Sequence, residues 1–156
     1  MELRRAGPAD LDVVTRMRLA FLAEHRGVAP STFSDRFAAD TRAWIARLDA
    51  TRRLETWLAE VDGVAVGLAS VLLRDAPPQP EDARALDGHL LHVWVRPDQR
   101  RRGHARALVT ACLAAGPDLG VRGFTLHATD AGRALYQEVG FAAAPAWMER
   151  PNPRSS

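Results

Sequence analysis

The chain has 156 residues and 17.1 kDa, with 47% of residues apolar and 26% charged, the make-up of one globular domain that can bury a core without disulfide or metal staples. All 21 basic residues are arginine, which excludes a Schiff-base lysine, a phosphate-loop lysine and acetylation of the protein's own lysine side chains. With 19 acids against them the net charge is +2, so the pI of about 9.4 gives little support to a nucleic-acid partner, and the single cysteine forbids an internal disulfide and any multi-cysteine zinc site.

Residues 2–5 predict a short strand that Gly7-Pro8 ends. No apolar run follows the N-terminal arginines and no stretch reaches the length of a membrane span, which places the protein in the cytoplasm. Leu11, Val14, Arg18, Leu19 and Leu22 recur at helical spacing through 10–26; Phe37, Trp44, Ile45 and Leu48 do so in a second helix with caps in Ser31-Thr32-Phe33-Ser34. Residues 54–61 and 64–73 are β-rich runs joined by Asp62-Gly63, a pair suited to the positive φ angles of a type I′ hairpin turn. Residues 75–88, with Pro77, Pro78 and Pro80 among Glu81, Asp82 and Asp87, read as an acidic surface loop. A strand at 89–96, a helix at 103–115, a strand at 123–128, a helix at 130–139 and a last strand from near Phe141 follow. The order implies a mixed α/β sheet in one domain over 1–150, with 151–156 a loose tail.

The segment Leu90-Leu91-His92-Val93-Trp94-Val95-Arg96-Pro97-Asp98-Gln99-Arg100-Arg101-Arg102-Gly103-His104-Ala105 carries the first chemical signal. A strand ends at Pro97 and a helix opens around Gly103, so unpaired backbone N–H groups and the positive end of a helix dipole face one point. Gly103 and Ala105 let a ligand approach the main chain, and three arginines add positive potential; the set suits a pyrophosphate. The bare pattern Arg-x-x-Gly-x-Ala also occurs at Arg4 to Ala9, where Pro8 removes a needed N–H. Context, not lettering, distinguishes the second copy.

This segment resembles the central signature of the GNAT superfamily of acyl-CoA-dependent N-acetyltransferases: a strand ending in Val-x-Pro, then (Arg or Gln)-x-x-Gly-x-(Gly or Ala), then a helix. Leu135-Tyr136-Gln137-Glu138-Val139-Gly140-Phe141 is similar to the family's Leu-Tyr-x-x-x-Gly-Phe ending. The detailed likeness runs from about Leu90 to Phe141. It implies a central mixed, mostly antiparallel sheet flanked by helices in the order β-α-α-β-β-β-α-β-α-β. It further implies that the backbone of Val93 and Val95 pairs with the pantetheine arm of acetyl-CoA as an added strand. Arg100, Arg101, Arg102, Gly103, His104 and Ala105 would then cradle the pyrophosphate, with Arg106 at the edge. Thr129 stands where the family often has Asn.

The resemblance assigns Tyr136, the only tyrosine, as the acid that protonates the departing thiolate; a ring that merely packs on Phe141 is the alternative for the same position. It assigns His89 as the acceptor or relay of the amine proton, with a solvent-facing strand-end histidine as the alternative. Strict alternation, if no bulge intervenes, puts His89, Leu91, Val93 and Val95 on one side and turns His89 away from His92, so that pair is not expected to share a metal, and no metal is expected elsewhere. Cys112 follows Ala105, Leu108 and Val109 on an apolar helix face and reads as core, while His127 stays open. Trp44, Trp57, Trp94 and Trp147 are scattered, which fits packing better than base stacking.

Under the resemblance, residues 24–35 and 75–87 border the acceptor cleft, where Glu24, Asp35, Glu81, Asp82 and Asp87 could attract a cationic amine. A small-molecule primary amine is the leading acceptor, a protein N-terminus or an aminoacylated tRNA the alternative. A non-catalytic acyl-CoA-binding regulator is the reading from another class, and a homodimer is compatible with each of them.

Overall fold

The computed structural model describes residues 1–144. Strand β1 (Glu2–Arg5) leads through a 3-10 turn into α1 (Leu11–Arg26), which Gly27 ends at φ 65. Helix α2 (Asp35–Ala50) starts where the Ser34 hydroxyl accepts the Phe37 N–H at 3.1 Å, a cap that satisfies one of its orphan donors. Strands β2 (Leu54–Val61) and β3 (Val64–Asp75) form the expected hairpin, with Asp62 at φ 52 and Gly63 at φ 75. Then come β4 (Leu86–Val95), α3 (His104–Ala114), a short α4 (Gly116–Leu119), β5 (Phe124–Leu126) and α5 (Arg133–Glu138).

The sheet runs β1-β2-β3-β4-β5, antiparallel except for the parallel β4/β5 pair. It is the mixed, mostly antiparallel sheet flanked by helices that the sequence led one to expect. One face packs Val71, Leu90, Val95, Leu108, Val109 and Cys112 against α3; the other packs Leu58, Leu68 and Leu91 against Val14 and Met17 of α1 and Ile45 of α2. Cys112 is fully buried in that core, and burial pushes its thiol up to about 12. Arg4 shows what arginine supplies here: its fork reaches both Asp10 oxygens at 2.7 Å and its Nε reaches Glu60 at 2.9 Å, tying β1 to the start of α1 and to β2. A lysine ammonium has no such planar reach.

Several elements differ from expectation. Strand β4 starts at Leu86 because Leu86, Asp87 and Gly88 pair with Asp75, Arg74 and Leu73, so part of the expected loop is ladder. Strand β5 stops at Leu126, since only Gly88, His89 and Leu90 of β4 pair with it. Helix α4 begins with Pro117 near its first position, where its missing N–H costs nothing. Residues 141–144 hold no strand; the remainder of the expected last strand, Trp147 and the tail at 151–156 lie outside the described residues. No helix among the described residues is long and apolar enough to cross a membrane.

Candidate active site

Because pairing between β4 and β5 ends at Leu90 and Leu126, the two strands part beyond that point and a cleft of about 790 Å3 opens between them. Val93, Trp94 and Val95 form one wall; Thr129, Gly132, Leu135 and Tyr136 form the other; Phe21, Glu24 and His25 of α1 border it, and the loop from Gln99 to Arg106 closes one end. Of the expected acetyl-CoA contacts, Val93, Val95, Arg100, Arg101, Gly103, His104, Ala105, Arg106 and Thr129 line this cleft. Arg102 does not: the loop reverses around it, with Arg101 at φ 63 and Gly103 at φ 82, and its side chain stands exposed.

The loop presents main chain more than side chain. The space where a Cβ of Gly103 would lie is open, and the first N–H groups of α3 lack acceptors within their own helix. The His104 ring is buried beside Met1, its Nδ1 2.8 Å from the sulfur, which leaves its backbone to the cleft. Arg106 pairs with Glu138. Arg100 donates from Nε to the Val95 carbonyl at 2.9 Å and from its terminal nitrogen to Glu24 at 2.5 Å. Glu24 also accepts from the Trp94 indole at 2.9 Å. The Arg100 hydrogen bond, with that of Trp94, holds the Glu24 carboxyl below the usual carboxylate range. Glu24, expected among the carboxylates of the acceptor cleft, therefore braces the loop before α3; nothing in the sequence links it to an arginine 76 positions away.

Tyr136 sits at the junction of this cleft with a second cavity of about 380 Å3. Its ring meets Phe141 edge-on, centroids 6.0 Å apart, so the packing alternative is realised alongside the exposure to the cleft. Burial raises its pKa and keeps the phenol protonated. Gly132 allows the ring its place: a Cβ there would lie 3.0 Å from the ring and 3.3 Å from the Thr129 hydroxyl. That hydroxyl accepts the Gly132 N–H at 3.2 Å, so Thr129 helps to start α5 while it faces the cleft.

His89 lines the second cavity, not the first, together with Arg74, Thr125, His127 and Arg133. Its Nδ1 is 2.8 Å from the Thr125 hydroxyl, which also accepts from Arg74 at 3.3 Å. His127 stacks edge-on with a centroid separation of 5.3 Å. Burial first, then the Arg74 and His127 charges, lower the His89 pKa to about 4.

A bulge overturns the alternation expected for β4. Leu68 faces Trp94 but Ser70 faces Leu91, so β4 carries one extra residue, and His92 takes φ 57. Leu91 packs on the α1/α2 side while Val93 and Val95 pack on the α3 side; Leu91 does not share their face. The same bulge removes the parity reason for separating His89 from His92. His92 is buried, its ring 6.1 Å from Phe21 and 6.0 Å from Trp44, and neither ring nitrogen has a partner. No group of three or more potential metal ligands occurs among the described residues.

A family model described as acetyltransferase (GNAT) family matches residues 18–141. No curated protein matches the chain. Among solved structures, a Clostridium acetobutylicum protein described as a predicted acetyltransferase with acetyl-CoA is similar at TM-score 0.84 and 21% identity, over 96% of this chain and 95% of that one. A GCN5-related N-acetyltransferase from Ralstonia eutropha JMP134 is similar at TM-score 0.82 and 27% identity, over 97% of each chain. A third, AAC(6')-Iy in complex with the bisubstrate analog CoA-S-monomethyl-acetylneamine, is similar at TM-score 0.74 and 20% identity, over 98% of each.

Proposed function

The chain belongs to the acetyltransferase (GNAT) family, and from that premise we propose an N-acetyltransferase that moves the acetyl group of acetyl-CoA to the primary amine of a small molecule. The observation that carries the reading is the cleft between the parted strands, with the main chain that opens α3 at one end and a protonated tyrosine at the other. The Val93–Val95 edge supports a pantetheine arm lying as an added strand. The α3 N-terminus with the Arg100–Ala105 loop supports the pyrophosphate. The bisubstrate analog held by the AAC(6')-Iy neighbour joins CoA to an amine acceptor, which is consistent with direct attack and no covalent enzyme intermediate. A cytoplasmic location, with its acetyl-CoA, fits the lone buried thiol.

In this reading the neutral amine attacks the thioester carbonyl carbon, an N–C bond forms and the C–S bond breaks. The electron pair of that bond leaves on sulfur, which takes the Tyr136 proton. The amine gives up its proton toward His89. With Thr125 accepting from the Nδ1–H of His89, the Nε2 lone pair is free to receive it. A pKa near 4 keeps that imidazole neutral but makes it a weak base.

Incubating the protein with acetyl-CoA and a panel of primary amines releases free CoA thiol at a rate set by the amine; no release with any amine overturns the reading in favour of a non-catalytic CoA binder. His89→Ala lowers kcat roughly tenfold across pH 6 to 8, and the wild-type profile shows no inflection at the ordinary histidine pKa near 6.5. An unchanged rate in the variant removes His89 from the proton path.

A further inference from the structure

The acids expected to attract a cationic acceptor are largely engaged. Glu24 is held by Arg100 and Trp94, Asp82 by Arg84 and Asp87 by Arg122. Of the carboxylates in the two acceptor-side loops, only Asp35 and Glu81 have no ion pair among the described residues.

Arg18 is in the opposite position. It stands on α1 one turn before Phe21, its guanidinium carbon 5.5 Å from that ring's centroid, half-buried and with no carboxylate or hydrogen-bond partner among the described residues. The charges acting on it are of its own sign: burial first, then Arg26, lower its pKa to about 10. His92 lies beneath, facing Phe21 and Trp44, with both ring nitrogens unpartnered. Burial keeps that imidazole neutral at physiological pH; it adds no second cation beneath Arg18, and in neither protonation state is it a counter-ion. A partly desolvated cation without a counter-ion is costly. Phe21 lines the cleft, and Arg18, packed on that ring, stands next to the cleft's α1 border.

We propose that the acceptor is a small amine that also bears a carboxylate, as a free amino acid does, and that Arg18 receives this carboxylate beside the Phe21 wall of the cleft. The inference rests on the acetyltransferase reading and narrows it: an unpaired arginine, with Glu24, Asp82 and Asp87 already paired, selects against polyamines and polycationic amino sugars. A guanidinium fork matches a carboxylate in two hydrogen bonds, which gives orientation as well as affinity.

The test separates binding from turnover. Calorimetric titration of the full chain compares N-acetyl-L-alanine with N-acetyl-L-alaninamide, and thiol release compares free amino acids with their amides and with spermidine. The carboxylate form binds about tenfold more tightly than the amide; R18Q erases that difference while acetyl-CoA affinity is retained, and R18K recovers part of it. Equal affinity of the two probes, or a preference that survives in R18Q, overturns the proposal. Faster turnover of spermidine than of any amino acid overturns it too, with acetyl transfer intact. A carboxylate preference that R18Q erases, together with no thiol release from any amine, preserves the anion site and defeats the acetyltransferase reading instead.

Discussion

Tyr136→Phe lowers kcat about a hundredfold and leaves the Kd for acetyl-CoA within about twofold of wild type. The substitution deletes one oxygen and keeps the ring that packs edge-on against Phe141 and lies close to Gly132, so the cleft wall keeps its shape. Under the proposed reading, what it removes is the proton for the departing thiolate, and positioned general acids contribute roughly 10²- to 10⁴-fold. Burial of the phenol raises its pKa, so the proton is in place throughout the neutral range and the loss is uniform between pH 6 and 8. Steady-state thiol release and a binding titration check the two halves separately. Unchanged turnover assigns the tyrosine to packing alone; a large rise in Kd assigns it to binding.

The second large effect concerns acid stability. His92 is 2% exposed, and burial, with smaller contributions from the Arg18 and His89 charges, lowers its pKa from 6.5 to about 3. In the unfolded chain the same ring takes up its proton near pH 6.5. Between those values the unfolded state binds more protons, so stability is complete above about pH 6.5 and is lost as the pH falls toward 3. From pH 7 to pH 5 this residue alone removes about 2 kcal/mol. Urea unfolding across that range detects it. His92→Asn, a residue that tolerates the positive φ of the bulge, lowers stability at pH 7 yet flattens the slope below it. A slope unaltered by the substitution shows that His92 is not the titrating group. His89 acts in the same direction, but its partial exposure makes its share smaller.

Sequence reasoning succeeded where a local signal carries the geometry. Asp62-Gly63 encodes a turn needing two positive φ angles, Ser34 encodes a cap, and the run from Leu90 to Ala105 encodes a strand, a loop and a helix that together line the cleft. The bulge at His92 was hidden for a physical reason: a left-handed residue is flagged in a sequence by glycine or asparagine, and here it is a buried histidine held by Phe21 and Trp44. The start of β4 was hidden by composition, since Asp87 and Gly88 look like loop until pairing with Leu73 and Arg74 is seen. Helix α4 was masked by the Gly-Pro pair that opens it. In the candidate site, the loop before α3 and Tyr136 were singled out by the family resemblance, and both line the cleft. The Glu24, Trp94 and Arg100 brace joins three elements, and the isolation of Arg18 depends on which acids other arginines have already taken; neither is a property of any short stretch of chain.

The parting of β4 and β5 bears on how far such a protein can drift. The edge from Val93 to Val95 that β5 leaves unpaired offers peptide groups, apart from the Val95 carbonyl that accepts from Arg100, and a peptide group is the same whatever side chain it carries. Under the proposed reading, the substrate's amide arm is read by a surface that substitution scarcely alters, and the pyrophosphate largely by amide protons of the α3 turn. Side chains around them are then free to diverge so long as the strands part at the same place. A shared backbone with TM-scores of 0.82 and 0.84 at 27% and 21% identity agrees with that freedom; under the same reading, Tyr136, whose proposed role needs a particular side chain, is among the residues least free to change.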